Sequence, residues 1–94
     1  MKNEQRSIEG KKVEGYEIPM GAFNLVCLKT DVGMIGCGAF DVACLDTFKY
    51  PAAKIRGVST VDDLLNGHIV EANQHAQNRG IETGMTGREA IKFL

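Results

Sequence analysis

Tryptophan is absent from this 94-residue chain, and only four Phe and two Tyr supply large apolar bodies. A chain this short buries only about two-thirds of its unfolded surface, so its own core leaves a thin stability margin. Disulfide staples do not fill the gap. The cysteines are odd in number (Cys27, Cys37 and Cys44), and Met1–Gly10 is too polar for an export signal that would carry them to an oxidising compartment. No apolar run approaches the roughly 18 residues of a membrane span. Neither charge sign dominates: 11 Lys+Arg against 12 Asp+Glu give a net charge of −1, which removes the broad basic footprint of a nucleic-acid-binding domain. The expectation is a cytoplasmic protein without nucleic-acid or membrane partners. No two Cys or His residues have the spacing of roughly two to five positions usual in structural zinc sites, so no metal is expected. Subunit association is the remaining common way for so small a chain to bury more surface.

What is present is an ordinary globular composition, 44% hydrophobic and 24% charged, which excludes wholesale disorder. The length fits one domain over residues 1–94. Its first third, residues 1–32, reads as β. Ser7–Glu9 and Lys12–Ile18 are short strand runs around a turn at Gly10-Lys11. Phe23–Lys29 alternates as a strand and is apolar on both faces, so both faces should be covered. Thr30-Asp31-Val32-Gly33 turns the chain into a short strand at Met34–Cys37.

Beyond Gly38 the period becomes helical. Ala39–Phe48 is apolar nearly all round, which demands burial on nearly every side and points to a partner subunit. Tyr50-Pro51 ends it. Ala53–Val58 reads as a strand with Arg56 as an intruder. Ser59-Thr60 opens a helix whose first turn carries Asp62 and Asp63. Glu71–Arg79 reads as a polar helix closed by Gly80. Thr86-Gly87-Arg88-Glu89 matches a capping box, starting a short C-terminal helix with Ala90, Ile91 and Leu94 facing inward. Strands first, then helices mixed with a late strand, give an α+β fold: three to four short helices on a mixed sheet.

Two stretches could carry chemistry. In Gly36-Cys37-Gly38-Ala39-Phe40-Asp41, glycines flank a thiol where a strand hands over to a helix. Backbone N–H groups at a helix start, with Gly36 and Gly38 permitting close approach, could hold a small anionic ligand. They could also activate Cys37 as the thiol of an enzyme or of a redox sensor, with Asp41 or a histidine helping. The alternative is structural: Cys37 is a small core residue, the glycines permit a tight crossing, and Asp41 caps the helix. His68 and His75 are both expected in solvent. In the second stretch, Thr86, Gly87 and Arg88 could clamp a carboxylate or phosphate. The alternatives are an ion pair for Arg88 and a purely capping role for Glu89. Neither stretch is a phosphate-binding loop or a dinucleotide fingerprint, so no cofactor is expected.

Three blocks in order resemble the YunC-like family of bacterial and archaeal conserved hypothetical proteins. They are Gly36-Cys37-Gly38-Ala39-Phe40-Asp41-Val42-Ala43, Gly57–Leu65, and Gly80–Ala90 with its Gly-Met-Thr-Gly-Arg-Glu core. The first 32 residues match by length and β character alone. The resemblance implies a small α+β domain whose N-terminal β region mediates tetramerisation. It implies no reaction, cofactor or catalytic residue, because the family is of unknown function. The connection from Leu45 to Lys54 is shorter here than in bacterial members.

Overall fold

Positive φ at Glu9 (51°) and Gly10 (77°) folds the first hairpin, since two left-handed residues give a turn the twist its flanking strands need. In the computed structural model, which describes residues 1–94, this turn joins β1 (Lys2–Ile8) to β2 (Lys11–Pro19), with Ile8 opposite Lys11 and Lys2 opposite Glu17. The turn therefore lies one residue earlier than Gly10-Lys11. The strand expected at Ser7–Glu9 starts at Lys2. Its polar first half carries no apolar signal and is strand because it pairs along β2 as a charged edge.

β3 (Asn24–Lys29) pairs with β2, and β4 (Met34–Gly36) pairs with β3, both antiparallel. The intervening turn is held by Thr30, whose N–H donates to Gly33 O and whose hydroxyl accepts from Val32 N. The chain then crosses through α1 (Val42–Asp46) to β5 (Ala52–Lys54), which lies parallel to β4. α2 (Val61–Asn66) follows, then β6 (Glu71–Ala72) antiparallel to β5, α3 (Gln74–Asn78) and α4 (Gly87–Ile91). The six strands sit side by side in sequence order. This is the expected α+β architecture: a mixed sheet with four short helices.

Pleating sorts the side chains. Val13, Val26, Leu28, Ile35, Ala53 and Ala72 share one face and form the main core with Val61, Leu64 and Leu65 of α2, Ala76 of α3, and Ala90 and Ile91 of α4. The opposite face is covered only at one end. There Met34 and Ala52 pack under Val42 of α1, joined by Phe40, Leu45 and Tyr50. Farther out on that face, Tyr16, Ile18, Leu25 and Cys27 remain half-buried, beside the exposed Met20 and Phe23. β3 is thus apolar on both faces, as read, but only its core face is fully covered within one chain.

Three elements depart from expectation. The helix read over Ala39–Phe48 is only Val42–Asp46, because Asp41 caps it and Lys49 reverses the chain at φ 58°. Of its residues only Val42 is fully buried, and Phe48 is 72% exposed. The strand read over Ala53–Val58 is Ala52–Lys54; Ile55 N still bonds to Gly36 O, and Gly57 then turns at φ 74°. Arg56 consequently lies on an exposed bend rather than on a strand. The helix read over Glu71–Arg79 splits, because Glu71–Ala72 pair with Lys54 and Ala53 before Asn73 caps α3. Gly80, at φ 109°, ends that helix as expected.

Candidate functional site

β4 delivers Gly36 and Cys37 into the interior. A Cβ on Gly36 would fall 2.4 Å from Phe40 Cδ2, so glycine here lets the Phe40 ring lie on the sheet. Cys37 is 5% exposed within the main core, and its N–H donates to Val26 O at 3.0 Å. No His or carboxylate hydrogen-bonds its thiol. Asp41 Oδ1 accepts from Cys44 N at 3.0 Å, the interaction that closes the start of α1. In this block Gly38, Ala39 and Asp41 are exposed, and the N–H groups of Gly38 and Ala39 donate to no acceptor in the chain.

Beside them stands a residue that sequence reading left without a role. Arg56 Cγ lies 3.4 Å from where a Gly38 Cβ would be. No carboxylate lies within 4.0 Å of the Arg56 guanidinium, and the side chain is exposed. The parallel pairing of β4 and β5 causes this meeting. Two parallel strands end at the same edge, so the loops that follow them, Cys37–Asp41 and Ile55–Thr60, emerge side by side. The one signal in the sequence was an arginine placed among apolar neighbours just before Gly57.

The second block serves packing and capping. The Thr86 hydroxyl accepts from Glu89 N at 3.1 Å, and Glu89 Oε1 accepts from Thr86 N at 3.0 Å, completing the expected capping box. Those bonds from Thr86 hold the Glu89 carboxyl below its usual range. Gly87 is buried and its N–H donates to Gly67 O at 3.0 Å, which leaves it unavailable to an anion. Arg88 is exposed, with no carboxylate within 4.0 Å. No hydrogen bond joins this block to the Cys37 block. A second capping box, Thr60 with Asp63, starts α2.

His75 differs from the solvated residue expected. Asp46 Oδ1 takes both its Nδ1, at 2.6 Å, and its backbone N–H, at 3.0 Å. This clip ties the end of α1 to the start of α3, and the imidazole hydrogen bond lowers the Asp46 carboxyl pKa. His68 is exposed as read. Burial raises the pKa of the Cys27 thiol on the half-open face, with nearby Cys37 adding to the effect and Lys29 opposing it. The thiolate is the species that alkylates. Cys44, which is exposed, will therefore react with iodoacetamide long before Cys37, and Cys37 will react only at the rate of unfolding. Site-resolved mass spectrometry checks this, and equal rates at Cys37 and Cys44 would refute it.

Residues 36–94, more than half of the chain, match the family model described as a domain of unknown function, DUF1805. The match begins at the first glycine of the Cys37 block. The chain is 34% identical over 88 residues to the uncharacterized protein YunC of Bacillus subtilis (strain 168), covering 89% of this chain and 87% of that protein. It superposes with a TM-score of 0.92 on the crystal structure of a protein of unknown function from Thermoplasma acidophilum. That match has 30% sequence identity and covers 97% of this chain and 89% of the other. No helix is long and apolar enough to cross a membrane. The family match, the sequence identity and the shared fold agree, and the chain belongs to the YunC-like DUF1805 family.

Proposed function

We propose that the chain is a homo-oligomeric binding protein for a small anion, held at the Gly38–Ala39 backbone where Arg56 passes Gly38. The observation that carries this reading is that juxtaposition at the shared carboxyl edge of β4 and β5. Two free backbone N–H groups and a planar guanidinium without a carboxylate partner are complementary to a carboxylate or phosphate. The original ligand set is thereby narrowed: Gly38 stays, Arg56 replaces Arg88, and Gly36, Thr86 and Gly87 support the fold. A thermal-shift series with inorganic phosphate and succinate tests it. At saturating anion the midpoint should rise, and Arg56→Ala should abolish the rise. An unchanged midpoint with both anions would reject the site.

The half-open face supports the assembly part of the reading. Tyr16, Ile18 and Leu25, with Met20 and Phe23 beside them, make an apolar surface only partly covered within the chain. A tetramer, the state the family resemblance implies, would bury it. Light scattering at micromolar protomer should give an oligomeric mass, and Leu25→Lys should lower it by placing an ammonium in the contact. A monomeric mass for the unaltered chain would overturn this reading.

A further inference from the structure

β1 is an outer strand of the sheet, and one side of it is unused. Two residues, Glu9 and Gly10, form the first turn, so Ile8 and Lys11 close it as a hydrogen-bonded pair. Such pairs alternate with non-hydrogen-bonded ones along an antiparallel ladder. Lys2, Glu4, Arg6 and Ile8 therefore turn their backbone groups toward β2, and Asn3, Gln5 and Ser7 turn theirs to the free edge. No backbone hydrogen bond from outside the sheet reaches those three residues, and all three are exposed. A row of extended, unpaired N–H and C=O groups is a template for a further strand. The side chains decide which strand it accepts. Glu4 and Arg6 lie on the face that carries α2, where Arg6 donates to Glu4 at 3.0 Å and to Asp62 at 2.6 Å.

We infer that this edge pairs with β1 of a second copy of the chain, antiparallel and centred on Gln5. In that register Gln5 meets the partner's Gln5 across a two-fold axis and Asn3 meets the partner's Ser7, so the outward N–H and C=O of all three residues are used. Glu4 falls opposite the partner's Arg6, and Arg6 opposite the partner's Glu4. Those are non-hydrogen-bonded positions, where facing side chains stand closest, and opposite charges there stabilise the pairing. Sliding the strands by two residues centres the axis on Glu4 or on Arg6. Like charges then face each other, and one end of each strand overruns its partner. Sliding by one residue sets outward backbone groups against groups already turned to β2. This self-complementarity in one register is what selects a second copy over an unrelated peptide. The inference rests on the homo-oligomeric reading above but uses a surface separate from the Tyr16, Ile18 and Leu25 face. Because the axis stands perpendicular to the sheet, both apolar faces of the pair lie on one side, where a second pair covers them. Two different two-fold contacts are what a closed tetramer of dihedral symmetry requires.

Cross-linking reads the register directly. In a Cys44→Ser background, which removes the exposed thiol, Gln5→Cys should oxidise to a disulfide-linked dimer, because a hydrogen-bonded pair sets its Cα atoms about 5.5 Å apart. Asn3→Cys and Ser7→Cys should each fail to link alone, since like positions then lie more than about 13 Å apart. Co-expressed, those two variants should link to each other. Gln5→Pro removes an N–H that faces away from β2, so the fold survives, and the mass of the assembly by light scattering should halve. Leu25→Lys joined to Gln5→Cys should still give the linked dimer, which separates this contact from the apolar one. Loss of the link in that double variant would overturn the edge pairing. A Gln5→Cys protein that is oligomeric but unlinked would overturn it while leaving the apolar contact standing. Linking of Ser7→Cys by itself, or an unchanged mass for Gln5→Pro, would overturn it as well.

Discussion

Replacing Gly87 with alanine will destabilise the protein by at least about 3 kcal/mol, toward the upper end of overpacking effects. The new Cβ would stand 1.9 Å from Leu64 O and 2.8 Å from Leu64 C. Those are backbone atoms in the middle of α2, so no side chain can swing away to admit the methyl group. Either α4 moves off α2 or the Gly87 N–H to Gly67 O bond breaks. Both responses disturb Leu64, Ala90 and Ile91, all of which are fully buried. Alanine also reduces the freedom of the unfolded chain, but that gain is only about 0.4–1 kcal/mol and cannot offset the clash. Gly38→Ala is the matched comparison. Its Cβ meets nothing closer than Arg56 Cγ at 3.4 Å, ordinary contact, so stability should change by under about 1 kcal/mol. Urea unfolding of both variants at one protomer concentration decides the matter. A Gly87→Ala variant as stable as Gly38→Ala would mean that α4 floats on α2, and Gly87 would return to the list of ligand-binding candidates.

That contrast shows what could be read from the chain and what could not. Local chemistry was legible. Thr86 three residues before Glu89 announced a capping box, the alternation of Phe23–Lys29 announced β3, and Gly80 announced the end of α3. Elements whose existence depends on a distant partner were not legible. Lys2–Arg6 has no apolar period and is strand because β2 lies beside it. Glu71–Ala72 is strand because Ala53 and Lys54 supply the ladder. The candidate site divides in the same way. Gly38 stood out by composition, whereas Arg56 became its neighbour only through the parallel pairing of β4 with β5. The Asp46–His75 clip joins residues 29 positions apart, and nothing local to either announces it. For Gly36 and Gly87 the signal was real but its cause was steric. Glycine marks close approach, and here what approaches is the Phe40 ring and the Leu64 carbonyl rather than a ligand.

Asn73→Ala is expected to cost about 4 kcal/mol, because this one side chain completes the hydrogen bonding of four backbone groups from three different stretches of chain. Its Oδ1 accepts from Ala52 N at 3.2 Å and from Ala76 N at 2.9 Å; its Nδ2 donates to Val42 O at 3.0 Å and to Tyr50 O at 2.8 Å. Each hydrogen and each lone pair of the amide is used, and the residue is only 6% exposed. The Ala76 bond is a helix cap, worth about 1 kcal/mol alone. Losing the others leaves polar groups around a buried space, at about 1–3 kcal/mol for each one that water cannot reach. Ala52 N, which donates to Asn73 Oδ1, is buried, so the loss of its partner should be felt strongly. For a domain of this length the thermal midpoint should fall by roughly 15 °C or more. Asn73→Asp separates the two halves of the role. It keeps both acceptor bonds but faces Val42 O and Tyr50 O with an anion, so it should destabilise strongly near neutral pH and recover partly as acid protonates it. The damage should also be directional. Asn73 holds α1 and the Tyr50 turn against β5, and α1 is the crossover that brings the Gly38 loop alongside Arg56. Hydrogen exchange should therefore rise first in 39–50, while Val26 and Leu28 of β3 stay protected. A loss below about 1 kcal/mol, no more than a helix cap contributes, would show that Asn73 only caps α3 and that α1 is held by the Met34–Val42–Ala52 cluster and the Asp46–His75 clip.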